Sequence, residues 1–504
     1  MKTWIIRIAI AIFCLTLLSA AGTYLFVRDA VVEMFGGHTE LAKRAAPEDR
    51  TGRVLLTNVN ILSEAGDAFL SGQSILLEDG KIIQIGPDLS ATSGEDVLDG
   101  DGGYLIPGLI DSHVHLWKSR NDLLLYIANG VTAVREMHGT DLHLKWKDEI
   151  EAGAIGPDLF VIAAQLATYN FAEGVWVDMT AERNVVRSDS DVRRTVSSLL
   201  EAGFDGFKAS SFLSLPAYQA ASRDTAELST PFVGHIPVAA GLKDLWASNQ
   251  SEIAHVEEFV KVLDREFGGY NSKNTEAFLN FVRERSADVA AKTRENDIVV
   301  TGTLALIDTF AAQITDLEPE LKAVELEYVN PGIAEGQAMG WLPGTNRYGL
   351  PESYKTGDWK ERYTRYWTAY AQAQDILYKA FLEAGVTVLA GTDANVPVMV
   401  PGFSLHDELL AMQQAGMSPA EALKSATSAP ADFMGMTAGR IVEGYDANLV
   451  LLRENPLNDI SASESIERVF ANGRTFDRSQ LDDLLQSVRT ANAASRKQDI
   501  AQFR

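Results

Sequence analysis

The sequence predicts an α/β protein built on a (β/α)8 TIM barrel, and three observations carry that expectation. Eight short apolar stretches alternate with helical ones, glycines mark several of the joins, and histidines or acids close several of the stretches. In order they are LIPGLIDSHVH (105–115), VTAVREM (131–137), DLFVIAAQ (158–165), FDGFKAS (204–210), PFVGHIP (231–237), EIAHVEEF (252–259), DIVVTGTLAL (297–306) and VTVLAGTDA (386–394). In IANGVTAV, LEAGFDGF and LEAGVTVL the glycine fits the left-handed cap of the helix before it.

The flanks read differently. Residues 51–106 hold short alternating strands, with turn signals at Asp79-Gly80 and Asp101-Gly102-Gly103. Similar text returns at 436–476, so the two flanks are expected to complete one composite β-sandwich around a barrel of residues 107–435, followed by a helical tail, 477–504. The connection between the seventh and eighth strands, about 306–385, is far longer than one helix needs. It contains an acidic helical stretch (316–329), a Gly/Pro/aromatic loop and a Tyr-rich helix (360–381). A long insertion at that end of a barrel reads as a lid or specificity element, or else as a contact between copies in a homo-oligomer or mere decoration.

The first 30 residues form a unit of another kind. Lys2 and Arg7 precede an apolar run, 8–27, just long enough to cross a bilayer at roughly 20 residues. Ser19-Ala20-Ala21 offers a cleavage site, yet the run continues past it, so an uncleaved inner-membrane anchor is favoured over a removed signal. The basic start places the bulk of the chain outside the cytoplasm, in a periplasmic setting. Cys14 is the only cysteine, which excludes an intrachain disulfide. A net charge of −25 without a basic stripe excludes a nucleic-acid partner.

Six residues carry the chemistry. In a strand, alternate side chains share a face, so His113 and His115 project together and suit a metal ion. Lys208 sits in an otherwise apolar strand, and a lysine is rarely buried alone; it pairs with a carboxylate or is itself carboxylated. His235 and His255 end the fifth and sixth strands, and Asp393 closes the eighth. Four imidazoles and two carboxylates suffice for two divalent ions with open positions for a bridging hydroxide; Asp393 doubles as general acid/base. Tyr169, Asn170 and His138 follow the third and second strands, at the end where substrate would bind, and His143 is a weaker candidate there. His406 reads as packing.

These motifs, with the tail LLAMQQAGMSPAEALKSATSAPADFMGM and GRIVEGYDANLVLLRENPLNDI, resemble the metal-dependent amidohydrolase superfamily over about residues 53–475. Within it they are similar to the imidazolonepropionase/prolidase-like group of exported peptidases and related hydrolases. The resemblance implies that His113, His115 and Asp393 hold the more buried zinc, that His235 and His255 hold the second, and that carboxylated Lys208 bridges them. Deaminases of the superfamily carry a glutamate three residues after the fifth-strand histidine, where this chain has Val238. Glu258, three residues after His255, is read as solvated or supporting. The expected reaction is therefore hydrolysis of an amide bond in dipeptides or N-acyl amino acids, with cyclic amides, lactones or other small non-peptide compounds as the alternative.

Overall fold

The computed structural model describes the chain apart from residues 1, 44–51, 93–95, 337–339 and 346–355, and apart from the side chains of residues 2–15, 17 and 20. Part of the Gly/Pro/aromatic loop of the insertion thus lies outside the described residues.

Every stretch expected as a barrel strand forms one. The first five are β6 (Leu109–Val114), β7 (Val131–Gly139), β8 (Asp158–Ala167), β10 (Gly206–Ala209) and β11 (Phe232–Gly234), all parallel, with the short β9 (Asn184–Val185) beside the end of β8. The last three, β12 (Glu252–Ala254), β13 (Val299–Thr301) and β14 (Val388–Leu389), form a second parallel sheet. Hydrogen bonds join the sheets at both seams. Ser251 N donates to Phe232 O at 2.8 Å, and Ser112 N donates to Ala390 O at 3.0 Å. The result is a TIM-barrel-like ring of strands with helices outside. β6 and β7 are buried along their whole length, as strands covered on both faces must be, which explains why their sequences run apolar rather than alternating. Gly203 and Gly385 close the helices before β10 and β14 in the left-handed conformation, as expected.

Strands from both flanks enter one eight-stranded sheet. β1 (Arg53–Leu62), β2 (Phe69–Glu78), β3 (Lys81–Gly86), β4 (Asp96–Asp99) and β5 (Tyr104–Pro107) come from before the barrel; β15 (Leu449–Leu452), β16 (Ile466–Ala471) and β17 (Arg474–Asp477) come from after it. Where a sandwich was expected, the ladders are continuous: β5 pairs antiparallel with β15, Leu105 opposite Leu451. Asp79 and Gly80 both take positive φ in the β2–β3 hairpin, the requirement that selects Asp-Gly there.

The insertion folds onto the barrel mouth. Leu321, Leu326, Val329, Trp341 and Leu342 form a core of their own with Val398, Met399 and Val400, which follow β14. The acidic stretch is helical only over Glu318–Ala323; the chain turns extended at Val324 and directs Leu326 and Val329 into that core. The Tyr-rich helix runs longer than expected, Gly357–Ala384, and Phe381 meets Phe259 edge to face at 5.0 Å, a geometry worth about 0.5–1.5 kcal/mol beyond area burial.

Residues 8–27 lie within one long helix, α1 (Lys2–Met34). Among the described residues no helix is long and apolar enough to cross a membrane, so the expected transmembrane segment gains no support from the fold; most of residues 8–20 lie outside the described side chains. The end of α1 docks on the barrel. Lys118 N donates to Phe35 O at 2.9 Å, and the Phe35 ring stacks on Trp117.

Candidate metal centre

The end of β6 and the turn after β14 bring three donors together. The ligating atoms of His113, His115 and Asp393 lie within 4.8 Å of one another, the one such group of three among the described residues. Asp393 Oδ1 stands 3.1 Å from His115 Nε2 and 3.4 Å from His113 Nε2. Neither approach has hydrogen-bond geometry, and Asp393 Oδ1, His113 Nδ1 and His115 Nδ1 are buried without hydrogen-bond partners. A carboxylate oxygen and two imidazole nitrogens that converge without bonding one another fit a cation between them. Gly391 permits the approach: a Cβ there would lie 2.9 Å from His113 Cβ.

The remaining candidates surround this cluster. Lys208 Nζ is 3.3 Å from His113 Nε2 and buried, and among the described residues no carboxylate lies within 4.0 Å of it. The His255 ring is 4.5 Å from that of His113, and the His235 ring 5.6 Å from that of His255. Each of these outer histidines meets a hydroxyl through Nδ1, Ser211 Oγ for His235 and Thr303 Oγ1 for His255, both at 3.0 Å. Their Nε2 atoms are the nitrogens left for a ligand. His255, Asp393, Trp117 and Thr303 all take positive φ, so backbone strain gathers where the strands end.

Burial sets the electrostatics. It pushes all four imidazoles down, His255 to about 3, so they are neutral and able to ligate. It also pushes the Lys208 ammonium down to about 8 against the pull of Asp393, Glu252 and Glu136. Asp393 is raised by burial, with His255 and Lys208 opposing.

The weaker candidates fall into local roles. Asn170 Oδ1 accepts from Glu173 N and caps the helix Phe171–Ala181. The Tyr169 hydroxyl accepts from Arg183. His138 Nε2 donates to Ala181 O at 2.8 Å, its ring 6.2 Å from that of His115. His143 accepts from Thr140 N and donates to Trp117 O, which shapes the turn beneath the site. His406 is buried between Ser463 Oγ and Asn129 O, the packing role expected of it. Glu258 is not solvated: it is buried, accepts from Ile236 N and pairs with Lys261.

Sequence reasoning missed the carboxylates that hold the frame. Asp111 accepts from His113 N, Thr392 N and Thr392 Oγ1, pinning the first strand to the eighth beside both ends of the metal cluster. Glu136 accepts from Leu116 N and His138 N. Below them Arg135 is fully buried, donating to Ser112 O and to Glu252 at 2.8 Å; losing one partner of such a pair costs roughly 3–5 kcal/mol. The available signal was an acid or arginine inside an apolar strand.

Comparison with known proteins bears on the family and the fold. Residues 373–476 match the model of the amidohydrolase family. The resemblance is to the amidohydrolases. Ochratoxinase of Aspergillus niger is 36% identical over 106 residues; the match spans 20% of this chain and only 21% of that enzyme's length. Imidazolonepropionase of Thermoplasma volcanium is 23% identical over 431 residues, 82% of this chain and 92% of the relative. In structure, a Xaa-Pro dipeptidase with bound methionine superposes with a TM-score of 0.60 at 18% identity, covering 84% of this chain and all of the other. At that identity the likeness establishes an amidohydrolase-like fold.

Proposed function

We propose that this chain is a metal-dependent hydrolase of amide bonds in dipeptides or N-acyl amino acids. The observation that carries the reading is the convergence of four neutral imidazoles, a buried lysine and Asp393 on the mouth of the barrel, with Asp393 Oδ1 close to two imidazoles yet bonded to neither. His113, His115 and Asp393 would hold one zinc ion and His235 and His255 a second. Lys208, buried with no carboxylate within ion-pair distance among the described residues, would bridge them as its carbamate. The match to amidohydrolases and the structural likeness to a dipeptidase support the bond type and the substrate class.

When bound, two such ions bring the pKa of a shared water toward neutrality and polarise the scissile carbonyl. The chain's own residues supply the rest. Asp393 would take the proton as the water oxygen bonds to the carbonyl carbon, and give it to the nitrogen as the C–N bond breaks. Asp111 holds the backbone on either side, through His113 N and Thr392 N, so that Asp393 keeps its aim at the imidazoles. The basic start and the apolar residues 8–27 support an exported, membrane-held enzyme.

The test is a mass-spectrometric screen of the zinc- and bicarbonate-loaded full chain against mixed dipeptides, N-acyl amino acids, cyclic amides and lactones. Cleavage of dipeptides or acyl amino acids is expected. Turnover of lactones or cyclic amides alone would replace the substrate class while leaving the metal centre standing.

A further inference from the structure

We propose that the mouth face of the barrel docks on the headgroup layer of an anionic lipid bilayer. The proposal rests on the membrane location proposed for residues 8–27.

Three of the exposed aromatic side chains among the described residues lie on this face. Phe171 is 77% exposed, Trp176 60% and Phe212 59%, joined by Val175 and Val238. On the helix Phe171–Ala181, Phe171, Ala172, Val175 and Trp176 share an arc of about 140°, with Glu173 and Asp178 outside it. Phe212 continues the patch, its carbonyl accepting from Thr168 N, and Val238 follows, its N–H donating to Ser211 O.

Two further observations select lipid as the occupant. The chain carries a net charge of −25, and Glu173 and Asp178 lie on the same helix, yet arginine stands over two rings of the patch and one beside it: Arg187 over Phe171, Arg183 over Phe212, and Arg28 over Tyr24 of α1. Aromatic rings interleaved with arginine match the chemistry of the interfacial layer, where rings sit among headgroups and guanidinium groups meet phosphate. The patch also lies where a membrane would be. Helix Phe171–Ala181 packs against α1, whose Arg28 directly follows the apolar run. Leu18, Leu25 and Phe26 on the same α1 are themselves exposed. A bilayer holding residues 8–27 therefore meets the protein at the level of this helix, and substrate reaches the site from the membrane surface.

The experiment uses the full chain in vesicles of phosphatidylcholine with phosphatidylglycerol, some of the lipid brominated on its acyl chains. Flotation with the vesicles reports the anchor; bromine quenching of Trp176, taken as the difference between wild type and Trp176→Phe, reports docking. The expected result is flotation of both proteins, a quenched Trp176 component in wild type, and a several-fold loss of that component in Arg183→Gln/Arg187→Gln or in vesicles without phosphatidylglycerol. Flotation with an unquenched, iodide-accessible Trp176 overturns the docking and leaves the anchor. A chain that does not float overturns both. Concentration-dependent shielding of Trp176 in detergent without vesicles assigns the patch to a second copy of the chain and equally overturns it.

Discussion

The two halves of the candidate centre are built from different materials. On the first and eighth strands, His113 and His115 face a carboxylate, and Asp111 ties the two strands together beneath them. On the fifth and sixth strands, His235 and His255 each lean on a single hydroxyl, Ser211 and Thr303. The contrast teaches that the inner half is held through its backbone, by Asp111, and the outer half through its rings, by two hydroxyls.

The sharpest way to break this contrast is at its shared carboxylate. Asp393→Asn removes the proposed proton carrier and is expected to lower kcat by roughly 10²–10⁴-fold, with circular dichroism unchanged; near-normal turnover would take Asp393 out of the reaction. Metal content tests the asymmetry itself. His235→Ala is expected to keep about one zinc after gel filtration, and His115→Ala to lose the tightly held ion first. Equal losses in the two variants would mean that the halves are equivalent. Thr303→Val probes the outer half more gently: a fall of about 10–100-fold in affinity for the outer ion, by chelator competition, is expected with the inner one untouched.

The smallest effect lies outside the centre. Glu408 is buried against Ala305 N, and burial raises its carboxyl to about 8. Between its unfolded value near 4.5 and about 8, the native state holds a proton that the unfolded state has released. Its contribution is therefore complete below the unfolded value and lost as pH rises through 8. Glu408→Gln should flatten the decline in stability between pH 5 and 8 by up to a few kcal/mol, read from denaturant midpoints.

The strand ends and their donors were legible because each needs only local text: H-x-H puts two side chains on one face, and a buried lysine or a strand-end histidine stands out from its apolar neighbours. What escaped was set by closure of the ring. Asp111 and Thr392 are 281 residues apart, and nothing in either segment says that they meet. The same limit applies to the stack of Phe35 on Trp117 and Trp117 on His115, which brings the N-terminal helix to within one ring of the centre. Asn170 shows the converse, since a polar residue after a strand is a helix cap as readily as a substrate contact, and here its side chain caps.

The two ends of the chain are clasped over the insertion. Asn330 bonds Gly36 O and Thr39, Asn492 donates to the carbonyls of 327–329, and Glu40 N reaches Ser495 Oγ across 455 residues. During synthesis the N-terminal segment therefore emerges long before its last partners exist. The joint can close only once Ser495 is made, so a chain cut short before it would leave residues 36–40 without their C-terminal partner.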